Sequence, residues 1–436
     1  MAITDLAQSI RIVAILDTDD DAPIPPLTNG EVDGIGEAYR PAIQQVGSTS
    51  GNVNPVNCSA EIRGTSITIC DMSAWFTHLM RDWEMRERII TLWCGFEGED
   101  FADYEVVFKG RVSRLACARP GTWTLSVDDL RRSLKTTIFN SATEADPVVI
   151  EDENPIDILI DQLITSLEIP AELVDVAGME DIRDAYFSAL EFSFSITSPE
   201  EAKEWLEAQI CLPLGLYFST LPSGAITLRT TQPPTGAEAT GAPMITGDHI
   251  IGDVRVSLDL RDLLNEIRWQ YDGDIEYYVD SGSLTKFRQS RGLEIDADGL
   301  VAAFSDMIDI RNAQLFARFA DPYPYYRLTT TMRHCRLQPG ELVALQPSQT
   351  PNLATGTLEY PGPVFCEVLS VNVNPHRATV DLTLVGTPFA ITRTGVISDL
   401  DIDYGDATTE QRETYCWISD EDGILDGEDG YVILGS

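Results

Sequence analysis

The tightest constraint on what this chain can fold into lies between residues 106 and 128. Val106, Phe108 and Val112 alternate with Val107, Lys109 and Arg111, and Trp123, Leu125 and Val127 alternate with Thr124, Ser126 and Asp128. A period of two puts one set of side chains in a core and the other in water. Between the runs stands Ala118-Arg119-Pro120-Gly121, a turn signature, so the pair is predicted to be an antiparallel hairpin. Antiparallel sheets that bury one side commonly hide their edges by closing into a barrel or sandwich.

The same pattern returns late in the chain. Leu337-Gln338-Pro339-Gly340-Glu341-Leu342-Val343 reads as a turn entering a strand. Val364 to Val373 then pairs through Asn374-Pro375-His376-Arg377 with Thr379 to Val385, whose Val380, Leu382 and Leu384 point one way. Two related barrels would give this echo, and so would chance repetition of hairpins.

Helical signals lie between these β segments. Asn154 suits an N-cap and Pro155 the first helical position, and Ile156, Leu159, Ile160, Leu163, Ile164 and Leu167 follow at helical spacing. A second helix is expected from Ser198-Pro199-Glu200-Glu201, with Ala202, Trp205, Leu206 and Ile210 on one side. Leu214 to Phe218 and Ile226 to Arg229 read as a hairpin, Asp253 to Leu258 and Asn265 to Tyr271 as strands, and Gly299 to Phe319 as a long amphipathic helix. A short helix is expected within Ser73 to Met80.

A chain of 436 residues exceeds what one core usually serves, so two to four packed units are expected. The fold class is β-rich α+β, with two antiparallel β-barrel-like units and helical or mixed domains between them. The expected division is 1–140 for the first barrel-like domain with N-terminal loops, 141–250 for a mixed helical and hairpin domain, and 251–330 for strands plus the long helix. Residues 331–395 form the second barrel-like unit and 396–436 an acidic extension.

Charge excludes more than it specifies. Seventy acidic residues against 30 basic ones give a formal net charge of −40. Tight duplex binding rests on counterion release by Lys and Arg, and here only four lysines occur: Lys109, Lys135, Lys203 and Lys286. Two readings fit the excess: an acidic surface that DNA slides past, or solubility and adaptation to salt. Residues 396–436 hold twelve acidic residues and one Arg, and end in Tyr431-Val432-Ile433-Leu434-Gly435-Ser436. Docking of this extension on another subunit is one expectation for it.

No run of about 18 apolar residues occurs, so no membrane span is expected, and Met1-Ala2-Ile3-Thr4-Asp5 is not the start of a secretory signal. Synthesis and assembly in a cytoplasm are expected. Eight cysteines (Cys58, Cys70, Cys94, Cys117, Cys211, Cys335, Cys366 and Cys416) lack metal-site spacing or a disulfide pattern. Asp17-Thr18-Asp19-Asp20-Asp21, Asp420-Glu421-Asp422-Gly423 and Asp426-Gly427-Glu428-Asp429-Gly430 miss the spacing of a calcium loop. His78, His249, His334 and His376 stand apart in sequence, and no hydrolase, phosphate-loop or dinucleotide motif is present. Asp71 with Asp82, or Glu266 with Asp272, could be imagined as a glycosidase couple, but such pairs arise by chance among so many carboxylates. No residue is therefore assigned as catalytic, cofactor-binding or metal-ligating, and no cofactor is expected.

Trp93-Cys94-Gly95-Phe96-Glu97-Gly98, Val107-Phe108-Lys109-Gly110-Arg111-Val112 and Thr124-Leu125-Ser126-Val127-Asp128-Asp129-Leu130-Arg131-Arg132-Ser133-Leu134 together resemble the first barrel of phage tail-tip and baseplate hub proteins. Asn154-Pro155-Ile156-Asp157-Ile158-Leu159-Ile160 and the stretch from Phe194 to Leu206 are similar to that family too, and the likeness spans about 60 to 395. The resemblance implies a homotrimer in which two barrels per chain make a pseudo-hexameric ring. Such a ring would match a six-fold tail tube or distal tail protein ring above and three-fold spike, fibre or tape-measure components below, with DNA only in transit. It implies a non-enzymatic structural protein of the virion tail, assembled in the host cytoplasm. A tail-fibre or receptor-binding attachment protein, and a tail-associated cell-wall hydrolase, are the rival readings. The acidic extension has no assured counterpart in the family.

Overall fold

The hairpin anticipated around residues 106 to 128 is the spine of the first sheet. The computed structural model describes residues 10–17, 24–35, 39–221, 223–231, 241–258, 260–271, 273–300, 306–346, 364–386, 424–425 and 428–429. Strands β1 (Ile10–Leu16), β2 (Leu27–Thr28), β3 (Arg40–Pro41), β4 (Ile43–Val46), β5 (Thr49–Asn54), β6 (Ser59–Ala60) and β7 (Gly64–Cys70) precede helix α1 (Trp75–Asp82). Strands β8 (Ile89–Phe96), β9 (Glu105–Arg119) and β10 (Thr122–Asp129) follow it. The sheet runs β3-β2-β1-β8-β9-β10-β7-β4. Its two edges, β3 and β4, are separated in sequence by Ala42 alone, so one stretch of chain spans both edges and the sheet closes into a ring of seven.

Every contact around this ring is antiparallel except β2 with β3, which is parallel. An odd number of strands leaves no alternative: alternating directions cannot return to the start without one like-directed pair. Ile67, Ile69, Leu92, Leu125 and Val127 fill the interior without exposure. Phe76 of α1 is equally buried and meets Trp123 edge to face, so the helix plugs one end.

The middle of the chain carries β11 (Thr137–Ile138), β12 (Val148–Glu153), α2 (Pro155–Asp161), α3 (Val176–Ile182), β13 (Phe192–Ile196), β14 (Glu200–Glu201), α4 (Ala202–Leu206), α5 (Leu212–Leu214), β15 (Leu216–Thr220) and β16 (Ile226–Thr230). Helix α2 starts as its sequence dictates: the Asn154 side chain accepts from Ile156 N–H at 3.0 Å, and Pro155 needs no donor partner. Helices α2, α3 and α4 each widen into a π-helical turn, over Gln162–Ser166, Arg183–Phe187 and Glu207–Cys211. Helix α3, opened by Asp175 accepting from Gly178 N–H at 3.3 Å, has no strong apolar periodicity and escapes sequence reading. Leu159, Leu163, Phe192, Leu206, Leu216 and Phe218 belong to the core of this part.

Strands β17 (Met244–Ile245) and β18 (Ile250–Ser257) come next, followed by a three-stranded sheet of β19 (Glu266–Tyr271), β20 (Asp274–Val279) and β21 (Gly292–Asp296), with α6 (Ser281–Phe287) between the last two. The long helix expected from Gly299 to Phe319 is described over Asp306–Phe319, as α7, and Leu300 is not part of it. Gly299 is pressed against the Phe194 ring, and the neighbouring Leu300 bridges Phe192 as extended backbone. Packing on β13 therefore overrides the helical spacing there.

The second sheet adds β22 (Tyr325–Thr331), β23 (Leu342–Leu345), β24 (Val364–Asn374) and β25 (Thr379–Gly386) in the order β17-β23-β24-β25-β22-β18. Its edges β17 and β18 are joined by residues 246–249, so this sheet closes as a ring of five, again with one parallel contact, β17 with β23. The ring is assembled from well outside 331–395, because sheet pairing is indifferent to sequence distance. Strand β5 continues the bridging chain of the first ring and pairs with Ser370 to Val373 of β24, and the interiors of both rings form one hydrophobic cluster.

The two rings share a plan. In chain order, the closing segment and the four strands after it lie as β4-β7-β10-β9-β8 in one ring and β18-β22-β25-β24-β23 in the other, antiparallel throughout. The first ring differs by inserting β1 and β2 between β8 and the closing segment. A bulge interrupts the central hairpin of both.

Beyond Gly386 the described residues are two short antiparallel strands, Ile424–Leu425 and Glu428–Asp429. The readings made on Asp19 to Asp21, on Asp272 and on most of 396–436 lie outside the described residues. Among the described residues no helix is long and apolar enough to cross a membrane.

Candidate functional site

The densest chemistry in the molecule is a buried polar joint where the two rings meet the β15–β16 hairpin and α7. Asp129 ends β10 and takes both Arg131 Nη2, at 2.6 Å, and Arg131 Nε, at 2.9 Å. The same guanidinium donates to Phe218 O at 3.1 Å and Glu61 O at 2.9 Å, while Thr220 Oγ1 donates to Asp129 Oδ2 at 3.4 Å. Arg63, just before β7, sends its backbone N–H to Asp129 and its side chain to Gln338 of the second ring. A Cβ at Gly51 would collide with the Arg63 guanidinium, which explains a glycine inside β5.

Further along the joint, Arg229 of β16 meets Glu341 at 3.2 Å, and Glu341 also accepts from Gln338 N–H at 3.0 Å. Arg318 of α7 is paired with Glu367 of β24. Arg311, one helical stretch earlier, donates to Thr231 Oγ1 at 2.9 Å and to Cys58 Sγ at 3.1 Å. Burial pulls the Arg63 and Arg318 guanidinium groups down to about 10 and pushes the Glu341 carboxyl up, loss of water being the leading cause in each case. The space left beside Arg63, Arg131 and Tyr217 is about 10 Å³, room for about one water. Such a joint can hold rings in a fixed relation; it has no room for a substrate.

Sequence reasoning missed these residues, though one signal existed. With four lysines among 30 basic residues, nearly all positive charge is arginine, the side chain suited to buried, multiply bonded pairs.

Asp71 and Asp82, considered as a couple, each have partners of their own. Asp71 accepts from Phe76 N–H at 2.8 Å, Thr77 N–H at 3.0 Å and Thr77 Oγ1 at 2.6 Å, holding the start of α1, whereas exposed Asp82 pairs with Arg81. Two histidines distant in sequence are brought together. His249 ends the segment that closes the second ring, and its Nδ1 lies 3.2 Å from His334 Nε2, with Arg333 2.8 Å from its other nitrogen. Burial, His249 and Arg333 together drive His334 down to about 4. Cys58, Cys94, Cys211, Cys335 and Cys366 are buried free thiols, and no group of three metal-binding side chains converges among the described residues.

No protein-family model matches the chain, and no curated protein matches it. Among solved structures it is similar to the 43 kDa tail protein of prophage MuSo2 from Shewanella oneidensis, at 14% identity over 87% of this chain and 99% of that one, with a TM-score of 0.48. A tail protein from Neisseria meningitidis MC58 is similar at 10% identity, 86% and 96% coverage and a TM-score of 0.47. Prophage tail protein gp18 from Listeria monocytogenes EGD-e follows at 10% identity, 88% and 96% coverage and 0.43. All three are tail proteins.

Proposed function

We propose that this chain is a non-enzymatic structural protein of a phage tail tip or baseplate, acting as the hub whose ring adapts a six-fold tail tube to three-fold tip components. The observation that carries the reading is the five-strand plan repeated in both rings. A chain holding two like units, arranged about a three-fold axis, presents six similar units to whatever lies above and three identical chains to whatever lies below. The buried joint suits this role, because a pseudo-hexamer requires the two units of each chain to keep one orientation.

In this reading the neighbours are a tail tube or distal tail protein ring on one face and spike, fibre or tape-measure components on the other. The protein resides in the virion tail. Three chains at −40 each would surround the central channel with acidic protein, and DNA would pass without adhering.

The test is mass in solution by light scattering, at low and at high salt, because like charge opposes association until it is screened. The expected species is three copies of the 48.1 kDa chain, favoured by salt. A monomer at every salt and protein concentration, together with failure to form rings on purified tail tubes, would overturn the hub assignment.

A further inference from the structure

A cleft of about 550 Å³ opens between α1 and the β9–β10 hairpin, floored by Met80, Leu115 and Trp123 and rimmed by Arg81, Arg86 and Arg114. Its charge runs against that of the chain. Three arginines and one glutamate, Glu84, line it, +2 by difference, within a protein of net −40. Arg81 is engaged by Asp82 at 2.8 Å and Arg86 by Glu84 at 2.6 Å, whereas exposed Arg114 has no acidic partner among the described residues. The floor is equally specific. Trp123 is held by its Nε1 donating to Thr77 Oγ1 at 3.0 Å, which leaves an aromatic surface beside a methionine.

The complement of this surface occurs in the same sequence. Tyr415-Cys416-Trp417-Ile418 is a short apolar stretch bracketed by Glu410, Arg412 and Glu413 before it and by Asp420, Glu421 and Asp422 after it, five acidic residues against one basic. An apolar anchor between acidic flanks matches an apolar floor between arginines. The 29 residues from Gly386 to Tyr415 reach about 95 Å when extended, against a radius of gyration of about 22 Å for a chain of this length.

We infer that the cleft between α1 and the β9–β10 hairpin is the docking site for the chain's own acidic segment around residues 410–422, with Tyr415 to Ile418 on the Trp123 floor and the flanking carboxylates on Arg114. The binding is electrostatically steered and apolar at its centre, so it weakens with salt without vanishing.

Full-length protein carrying Ser113→p-benzoylphenylalanine at the cleft edge tests this by photo-crosslinking and peptide mapping. Crosslinks are expected to fall on residues 410–422, and their yield to drop at least about five-fold on adding Arg114→Glu, a surface change that leaves the fold intact by circular dichroism. Combining Arg114→Glu with Glu413→Lys, Asp420→Lys and Glu421→Lys should restore them. Crosslinks confined to residues 1–386 of the same or a second copy, no crosslink at all, or a yield indifferent to Arg114→Glu would each overturn the assignment.

Discussion

At the scale of single residues, burial separates the ion pairs that hold the molecule from those that decorate it. Asp129 is 1% exposed and answers Arg131 while sharing the neighbourhood of Arg63, so its removal leaves guanidinium groups dry and uncompensated. Asp129→Ala should therefore lose about 3–5 kcal/mol, read from the urea midpoint. Asp82→Ala, at an exposed pair, should unfold at the same urea concentration as the parent. His334 makes a prediction in pH. Its folded value lies near 4, below that of a free histidine, so the unfolded chain binds more protons between about 6.5 and 4. Stability contributed by neutral His334 is complete above that window and is lost as pH falls through it, by up to about 3 kcal/mol. His334→Gln should flatten the decline in urea midpoint between pH 7 and pH 4.5; an unchanged slope would assign the acid sensitivity to other groups.

At the scale of elements, turns are as specified as strands. Gly340 sits at φ 87° before β23, its N–H donates to Val368 O at 2.6 Å, and a Cβ there would overlap the Tyr217 hydroxyl. Gly340→Ala combines a left-handed backbone with a collision and should cost at least about 2 kcal/mol in thermal or denaturant unfolding. Tyr217→Phe should recover part of the loss, since that hydroxyl has no partner among the described residues. Elements of this local kind were the ones legible in the sequence. The β9–β10 and β24–β25 hairpins, the β15–β16 hairpin and the Asn154 cap all rest on residues close together in the chain. What was not legible depends on distant partners. Nothing near Thr49 announces pairing with Ser370 to Val373, nothing near Leu300 announces the bridge to Phe192, and Arg311 meets Cys58 across 253 positions. The polar joint is illegible for the same reason: an arginine reads as surface until its partners converge.

At the scale of the whole molecule, the two rings share one core. Their interiors form a single hydrophobic cluster, and β5 carries chain from the first ring into the wall of the second. Amide protection in β10 and in β24 should therefore vanish at the same denaturant concentration, and Ile69→Ala in the first ring should lower both together. Separate transitions in hydrogen exchange would show that the joint transmits less than its burial implies. This coupling is what the proposed hub needs if the two halves of each chain are to serve as adjacent positions in one ring.

The odd strand number has a consequence under load. Around the second ring most neighbours share several residue pairs, but the parallel contact of β17 with β23 rests on two, Met244 with Ala344 and Ile245 with Leu345. A cylinder with one short joint does not tear at random. Pulled sideways, this one should part first at that two-pair stave, with the longer antiparallel pairings of the remaining wall holding after it.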